Sequence, residues 1–397
     1  MHDQPSFLEP LGLPEFYSRY WEKKPLHIER RANNVGKLVD FADIERLLST
    51  QPLFYPGVQL TQSGKTIDLG SYVDDSNRVI PLRLLEQHRQ GATIVLSQAQ
   101  KIMTPLMDLC RETTRCLKMS AQTNVYVSPP GNQGFNAHYD THDVFILQVA
   151  GAKTFNFYPS AVRLPCPDEQ FDATGLTSTR IDESIRLTAG DTLYIPRGVV
   201  HDAVADDSES SIHITLGVYP ILVRDVLQRL LLTQTGTDYR YRESLNPFAT
   251  DVSNSSEMRE RLSALLDDLK EGLKDPEVLD DVMQDFREEL SLDALQDCRT
   301  TTNAVAGFGK AEAADTSNPP RCIRLRKQMI IHHDISEIAA RIYGFGQIME
   351  FDSAVAHVIA KLVDTGELVD NDLVSLAPEL RDTLIERLRH ENLVDVS

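Results

Sequence analysis

The spacing of apolar positions divides the chain into a helical start, a β-rich middle and a helical end. From Leu13 to Trp21 apolar residues recur at helical spacing, and they do so again from Phe41 to Leu48, behind Asp40 as an N-cap. Pro81 to Gln90 reads as a further helix, Thr93 to Leu96 as a short strand, and Gln98 to Leu117 as a longer amphipathic helix. Between Ala121 and Pro220 the texture changes. Short β-rich runs at Asn124 to Val127, Val144 to Val149, Thr154 to Tyr158, Thr192 to Ile195 and Ser211 to Val218 are separated by turn residues, clearest in SerProProGlyAsn at 128–132 and ProArgGly at 196–198. Strands at this spacing without intervening helices predict an antiparallel barrel or jelly roll rather than a βαβ sheet. Helical spacing returns at Ile221 to Gln234 and Ser256 to Lys274. Residues 299–320, rich in Thr, Ala, Gly, Asn and Pro, read as a linker and place a boundary near 320. The last segment has helices at Asp352 to Val363, Asp370 to Leu376 and Pro378 to Glu391, then AsnLeuValAspVal, which is a winged-helix pattern.

The β-rich middle carries the distinctive chemistry. His138 and Asp140 are two apart, so on a strand both side chains point to one face. His201 follows a strand and the ProArgGly turn, which can aim it back across a barrel mouth. Two imidazoles and one carboxylate are the ligand set of a non-haem Fe(II) centre that keeps positions open for oxygen and a co-substrate. An isolated HisXaaAsp arises often by chance, and most such pairs are solvated or structural. Here it has strand on both sides, a distal histidine after a sharp turn, and a lysine at the next hairpin. His142 competes as a ligand, but a third ligand so close would crowd one strand, and it reads as a neighbour of the site or a surface group.

Gly151 offers a hairpin turn, and Lys153 begins the strand after it on a face shared with Phe155 and Phe157. Its stem can therefore be buried, and a buried ammonium requires an anionic partner. The distal carboxylate of 2-oxoglutarate fits that role, although a solvated head is the commoner fate of a lysine. Asn124 and Tyr126 share a face of the strand before the triad and can donate to carboxylate oxygens or to substrate; an ordinary polar strand face is the alternative. His213 and Thr215 alternate in the same way on the last strand, where a satisfied core histidine is the alternative for His213.

Composition narrows the partners. With 59 acidic and 40 basic residues the 397-residue chain has a formal net charge of -19. General binding to nucleic acid needs clustered Lys and Arg, so it is disfavoured, whereas a basic protein or peptide would be attracted. The five cysteines are scattered without a CysXaaXaaCys, which favours reduced thiols over a disulfide framework. No basic segment followed by an apolar run marks a signal peptide at the N-terminus, and no stretch has the apolar length of a membrane span. The cytoplasm is the expected compartment.

AsnValTyrValSerProProGlyAsnGlnGlyPheAsnAlaHisTyrAsp at 124–140, ValPheIleLeuGlnValAlaGlyAlaLys at 144–153 and TyrIleProArgGlyValValHis at 194–201 resemble the JmjC-domain oxygenases. More narrowly, they are similar to the ribosomal-oxygenase branch and its bacterial relatives. PheTyrSerArgTyrTrpGluLysLysProLeu at 16–26 and SerIleHisIleThrLeu at 211–216 resemble the N-terminal signature and last barrel strand of that branch. The resemblance implies an α+β chain with a double-stranded β-helix (jelly-roll, cupin-like) core over 1–220, a helical dimerisation region over 221–320 and a winged-helix domain over 321–397. It implies Fe(II) held by His138, Asp140 and His201, and 2-oxoglutarate bound through Lys153 in a pocket lined by Tyr126, Asn124 and Thr215, with His213 counted among the co-substrate residues. The implied activity consumes O2, hydroxylates a side chain in a protein or peptide, such as a ribosomal protein, and releases succinate and CO2.

Two features qualify that picture. Gly217 stands where His-directed members carry a Ser thought to hold the substrate, which weakens a histidyl assignment. Residues 346–397 hold eleven acidic and four basic residues, so no direct DNA binding is expected of the winged helix; packing, dimerisation or a basic partner fits it better. The competing activities are a tailoring hydroxylase of a ribosomally made peptide or small molecule, a lysine demethylase, and a non-catalytic cupin-like binding module. The complete triad with Lys153 argues against the last.

Overall fold

The computed structural model describes residues 4–29, 35–160, 162–169, 171, 179–244, 256–296, 322–326, 330–335, 339–344, 347–391 and 393–396. The linker expected at 299–320, and with it the boundary near 320, lies outside the described residues.

Two antiparallel sheets form the centre of the molecule. The larger has seven strands in the order β1-β8-β5-β10-β4-β3-β2, formed by β1 (Leu26–Ile28), β2 (Val58–Thr61), β3 (Thr93–Leu96), β4 (Ser120–Ser128), β5 (Asp143–Ala150), β8 (Thr192–Ile195) and β10 (Ser211–Tyr219). The smaller joins β6 (Ala152–Tyr158) to β7 (Glu183–Thr188) on one side and β9 (Val200–Ala205) on the other. The period of two explains the layering. On β10, Ile212, Ile214, Leu216 and Val218 are completely buried in the core beneath the N-terminal helices, and Ser211, His213, Thr215 and Gly217 alternate with them on the opposite face. β4 behaves alike, with Val125 and Val127 in that core and Asn124, Tyr126 and Ser128 on the other side. β5 is buried on both faces. Phe145, Leu147 and Val149 meet the helices, and Val144 and Ile146 pack with Phe155, Phe157 and Leu187 of the smaller sheet. The two sheets thus enclose a space, in the manner of a cupin-like barrel.

The helices α1 (Leu13–Arg19), α2 (Phe41–Thr50), α3 (Pro81–Arg89) and α4 (Thr104–Leu117) supply the other half of the main core. Asp40 accepts from Asp43 N while Asp43 accepts from Asp40 N, a reciprocal cap that starts α2 as its sequence promises. The single helix expected over 98–117 is shorter. Gln98 adopts a left-handed conformation, residues 99–101 form one tight turn, and α4 begins at Thr104 with Pro105 in its first turn. Proline disfavours a helical residue before it, so the helix starts there. Strands β1, β2, β7 and β9 were not expected. In β7 only Leu187 is fully buried, and its neighbours Glu183, Ser184, Arg186 and Thr188 face outward, so no apolar run marks it. β9, ValHisAspAlaValAla, puts His201, Ala203 and Ala205 on the face it shares with Phe157, Phe155 and Lys153, so one histidine and two alanines stand where an apolar run would mark a strand.

Beyond the barrel, α5 (Val223–Thr237), α6 (Ser256–Gly272) and α7 (Pro276–Gln296) share a small core of Leu230, Leu269 and Val282. The C-terminal unit comprises β11 (Cys322–Leu325), β12 (Ile330–Ile335), β13 (Ala339–Gly344), β14 (Gln347–Asp352), α8 (Ser353–Thr365), β15 (Glu367–Val369), α9 (Asp370–Leu373), α10 (Pro378–His390) and β16 (Val394–Val396). β11 sits between β15 and β16, and β12-β13-β14 form a second small sheet that the sequence pattern did not show. Its core, centred on Ile342, Ile359, Leu362, Leu368 and Leu388, is separate from that of the barrel. The Tyr343 hydroxyl hydrogen-bonds Gln284 on α7 and joins the unit to the three helices. Among the described residues no helix is long and apolar enough to cross a membrane.

Phe145 links the barrel to its helical cover. Its ring lies 4.9 Å from Phe7, 5.7 Å from Phe16 and 5.1 Å from Tyr194 between centroids. Phe145→Ala is expected to cost about 3–5 kcal/mol of unfolding free energy, as emptied aromatic core sites do. Urea unfolding measures it, and a loss below about 1 kcal/mol would show that the helical cover is not a coupled layer.

Candidate metal and co-substrate site

The enclosed space is a cavity of about 280 Å³ lined from both sheets, among others by Asn124, Tyr126, Lys153, Phe155, His213 and Thr215 and, toward the mouth, by Phe135, His138, Asp140, His142 and His201. All eight residues singled out from the sequence therefore line one cavity.

His138 and His201 come together through the backbone. His138 N donates to His201 O at 3.0 Å and His201 N donates to His138 O at 2.8 Å, an isolated antiparallel bridge between the segment before β5 and the start of β9. Gly198 N donates to Asp140 O at 3.0 Å and ties the ProArgGly turn to the same segment. The side chains converge. Asp140 Oδ1 is 4.0 Å from His138 Nε2, and Asp140 Oδ2 is 3.8 Å from His201 Nε2. One donor atom from each of the three residues lies within 4.8 Å of the others.

The tautomers follow from the neighbours. His138 Nδ1 lies 2.8 Å from Asn136 O, and His201 Nδ1 lies 3.0 Å from Val199 O. A carbonyl only accepts, so each Nδ1 carries the proton and each Nε2 lone pair faces Asp140; a carbonyl on Nδ1 is how imidazoles are commonly oriented toward a metal. Burial, and then the nearby His138, push the His201 imidazole below its ordinary range, which favours the neutral form a metal ligand needs.

Deeper in the cavity, Lys153 is 3% exposed. Gly151 makes this possible: it turns from β5 to β6 at φ +64, where a Cβ would lie 2.4 Å from Ser210 O. Burial pushes the Lys153 ammonium down to about 7. Lys153 Nζ donates to Ser128 Oγ at 3.1 Å, and Thr93 Oγ1 donates to Ser128 Oγ at 3.0 Å. Among the described residues no carboxylate offsets the cost of burying this cation. Beside it the β10 to β4 register sets His213 opposite Tyr126 and Thr215 opposite Asn124. Tyr126 and His213 stack in parallel with centroids 4.6 Å apart. The Tyr126 hydroxyl hydrogen-bonds the side chains of Asn124 and Thr215, and burial keeps it protonated by pushing the phenol far above its usual range. His213 is buried as a neutral imidazole, and its Nδ1 has no hydrogen-bond partner among the described residues.

Ser128 and Thr93 escaped the reading of the sequence. Ser128 continues the alternation Asn124, Tyr126, Ser128, which was the available signal, but it also opens SerProProGlyAsn and reads as a turn residue. His142 lies outside the three-residue cluster. Its ring stacks on Tyr219 with centroids 4.9 Å apart, and a Cβ at Gly217 would meet its Cδ2 at 2.7 Å and its Nε2 at 2.8 Å. A side chain at 217 would therefore require the His142 ring to move, and His142 occupies the space that side chain would fill.

Residues 96–226 match the family model for the JmjC domain. The chain carries a JmjC domain. In sequence it is 31% identical over 230 residues to the bifunctional lysine-specific demethylase and histidyl-hydroxylase NO66 of Drosophila grimshawi, covering 54% of this chain and 30% of that protein. The Dictyostelium discoideum protein of the same name is 29% identical over 255 residues, covering 60% of this chain and 48% of that protein. The chain thus spans less than half the length of either relative. In structure it is similar to Escherichia coli ribosomal oxygenase YcfD, with a TM-score of 0.53 at 16% identity and 98% of each chain covered. A second YcfD structure, in complex with cobalt and 2-oxoglutarate, gives a TM-score of 0.54 at 14% identity, covering 98% of this chain and 99% of that one. At this identity the likeness speaks for the fold. All eight cavity residues from the sequence reading fall inside the JmjC domain.

The pH dependence of stability tests the burial of Lys153. Its folded pKa of about 7 lies below the ordinary 10.5. Between those values the unfolded chain holds more protons, so this group makes stability rise with pH; below them both states are charged and the full burial cost remains. Lys153→Met is expected to flatten the rise. Urea midpoints at pH 7 and pH 9 compare the two proteins, and identical pH slopes would contradict the assignment.

Proposed function

We propose that this chain is a metal- and 2-oxoglutarate-dependent oxygenase that hydroxylates a side chain in a protein or peptide, releasing succinate and CO2. The observation that carries the proposal is one cavity with a two-histidine, one-carboxylate cluster at its mouth and a buried lysine at its depth. The donor set fits Fe(II): three ligands leave positions free for a keto acid and O2. Bound there, Fe(II) would supply the activation of O2 coupled to oxidative decarboxylation of the keto acid.

The chain's own residues bind, orient and exclude water. Lys153, positioned by Ser128 and Thr93, pairs with the distal carboxylate of 2-oxoglutarate and so regains the charge that burial suppresses. Tyr126, Asn124 and Thr215 form a hydrogen-bonded group at the side of the co-substrate, and the unpaired His213 Nδ1 is a further contact for it. Phe155 and Ile146 complete an apolar wall that keeps bulk water from the reacting centre. The acidic chain suits a basic partner, and the similarity to a ribosomal oxygenase makes a ribosomal protein the first substrate to test. His142, packed over Gly217, would face the target side chain where His-directed relatives present a serine, which favours a target other than histidine.

The remaining regions fit a homodimer that acts in the cytoplasm. Val223, Leu227, Leu231 and Leu232 leave an exposed apolar face on α5. We read 321–397 as the winged-helix domain and 221–320 as the dimerisation region. Cys110, Cys116, Cys166 and Cys322 form no disulfide among the described residues, as suits a reducing compartment.

Succinate release from 2-oxoglutarate in the presence of Fe(II) and O2 tests the proposal. His138→Ala and Asp140→Ala are expected to abolish it. Lys153→Ala is expected to raise the KM for 2-oxoglutarate at least about tenfold, the loss of one charge-assisted contact. Unchanged succinate release in His138→Ala, or an unchanged KM in Lys153→Ala, would refute the assignment of that residue.

A further inference from the structure

The N-terminal turn enters the barrel at the two segments that carry the ligands. Glu22 follows α1 at φ +53, a left-handed conformation that is unfavourable for a non-glycine residue. Its backbone N donates to Tyr194 Oη at 2.9 Å. Tyr194 Oη in turn donates to Asp143 Oδ1 at 2.5 Å. Asp143 Oδ2 lies 3.9 Å from Arg197 Nε, and Arg197 Nη2 donates to Glu22 Oε1 at 2.6 Å. The contacts close a ring: Glu22, Tyr194, Asp143, Arg197 and back to Glu22. The interior members are well buried, with Tyr194 and Asp143 at 0% and Arg197 at 7% exposure. Trp21 stacks on Tyr194 with centroids 5.8 Å apart, and Phe16 meets the same ring edge-on at 4.9 Å, so the entry of the N-terminal segment is fixed.

The location of the ring gives it a role. Asp143 opens β5, three residues after Asp140. Arg197 precedes Gly198, the residue that ties the turn to Asp140, and lies four residues before His201. The Arg197 to Asp143 pair therefore spans the same two segments that the His138 to His201 bridge joins. A buried guanidinium facing one carboxylate at 3.9 Å is too long for a hydrogen bond. The short contact from Glu22 and the hydroxyl of Tyr194 hold the two charges in register.

We infer that Glu22 and Tyr194 are positioning residues of the metal centre, acting through Arg197 and Asp143 to set the separation of the two ligand-bearing segments. The inference rests on the proposed metal site and extends it to Glu22, outside the matched 96–226. It makes the N-terminal segment part of the ligand scaffold as well as cover for the sheet.

Cobalt(II) binding to the full chain tests it by visible absorption, without turnover. Glu22→Gln and Tyr194→Phe preserve shape and remove, respectively, the carboxylate charge that faces Arg197 and the hydroxyl that joins Glu22 to Asp143. Each is expected to weaken cobalt affinity about tenfold, the lower end for an altered outer-shell partner, and to shift the cobalt d–d bands. Circular dichroism and the melting temperature of the metal-free proteins report the fold. Glu22→Asp, which keeps the charge, is expected to recover part of the affinity lost in Glu22→Gln. Wild-type affinity and spectrum in both folded variants would overturn the inference while leaving the metal site intact. If either variant does not fold, the other decides by the same criterion; if neither folds, a purely architectural ring replaces the inference. Absence of saturable cobalt binding in the wild type, or wild-type binding in His138→Ala, would instead overturn the metal site.

Discussion

The backbone bridge between His138 and His201 is the constraint on which the site depends. The segments it joins belong to different parts of the barrel: one leads into β5 of the larger sheet and the other begins β9 of the smaller. Two hydrogen bonds hold them side by side, and Gly198 N on Asp140 O adds a third. Because each imidazole also donates Nδ1–H to a carbonyl two residues away, the backbone that fixes the position of the rings fixes their tautomers as well. Ligand geometry is thus set largely by main-chain hydrogen bonding, which a barrel closed by two sheets can hold rigid.

The second constraint is the buried ammonium of Lys153. Removing a lysine head from water is costly, and the protein offsets only part of that cost with the Ser128 hydroxyl. In the proposed function the distal carboxylate of 2-oxoglutarate would offset the rest. Tyr126, stacked on His213 and bonded to Asn124 and Thr215, makes the adjoining wall polar without adding charge. One end of the cavity thus offers an amine and hydroxyl groups, and the other the two-histidine, one-carboxylate cluster and the open mouth.

Much of this arrangement was legible in the chain. The alternation Asn124, Tyr126 and His213, Thr215 depends only on which face of a strand each residue occupies, so it carries over directly to the cavity; His138 and Asp140, expected on one strand, lie instead on an isolated bridge and a loop before β5, and converge through the hydrogen bonds of that segment. Ser128 was hidden because a turn signature and a strand end coincide in it. β7 was hidden because an edge strand with outward polar residues has no apolar run. The ring of Glu22, Tyr194, Asp143 and Arg197 could not be read at all: its members are scattered over the sequence and become neighbours only when the N-terminal segment packs on β8. The separate small sheets of the C-terminal unit were likewise invisible, since short strands between helices leave no lasting period.

The central claim is that His138, Asp140 and His201 hold iron beside a keto acid whose far end Lys153 binds. An anaerobic titration of the purified protein with Fe(II) and 2-oxoglutarate addresses it most directly, through the visible metal-to-ligand charge-transfer band of a chelated keto acid. The account predicts a band in the wild type that is absent in His138→Ala and needs more 2-oxoglutarate in Lys153→Ala. A well-folded wild-type protein without the band would contradict it.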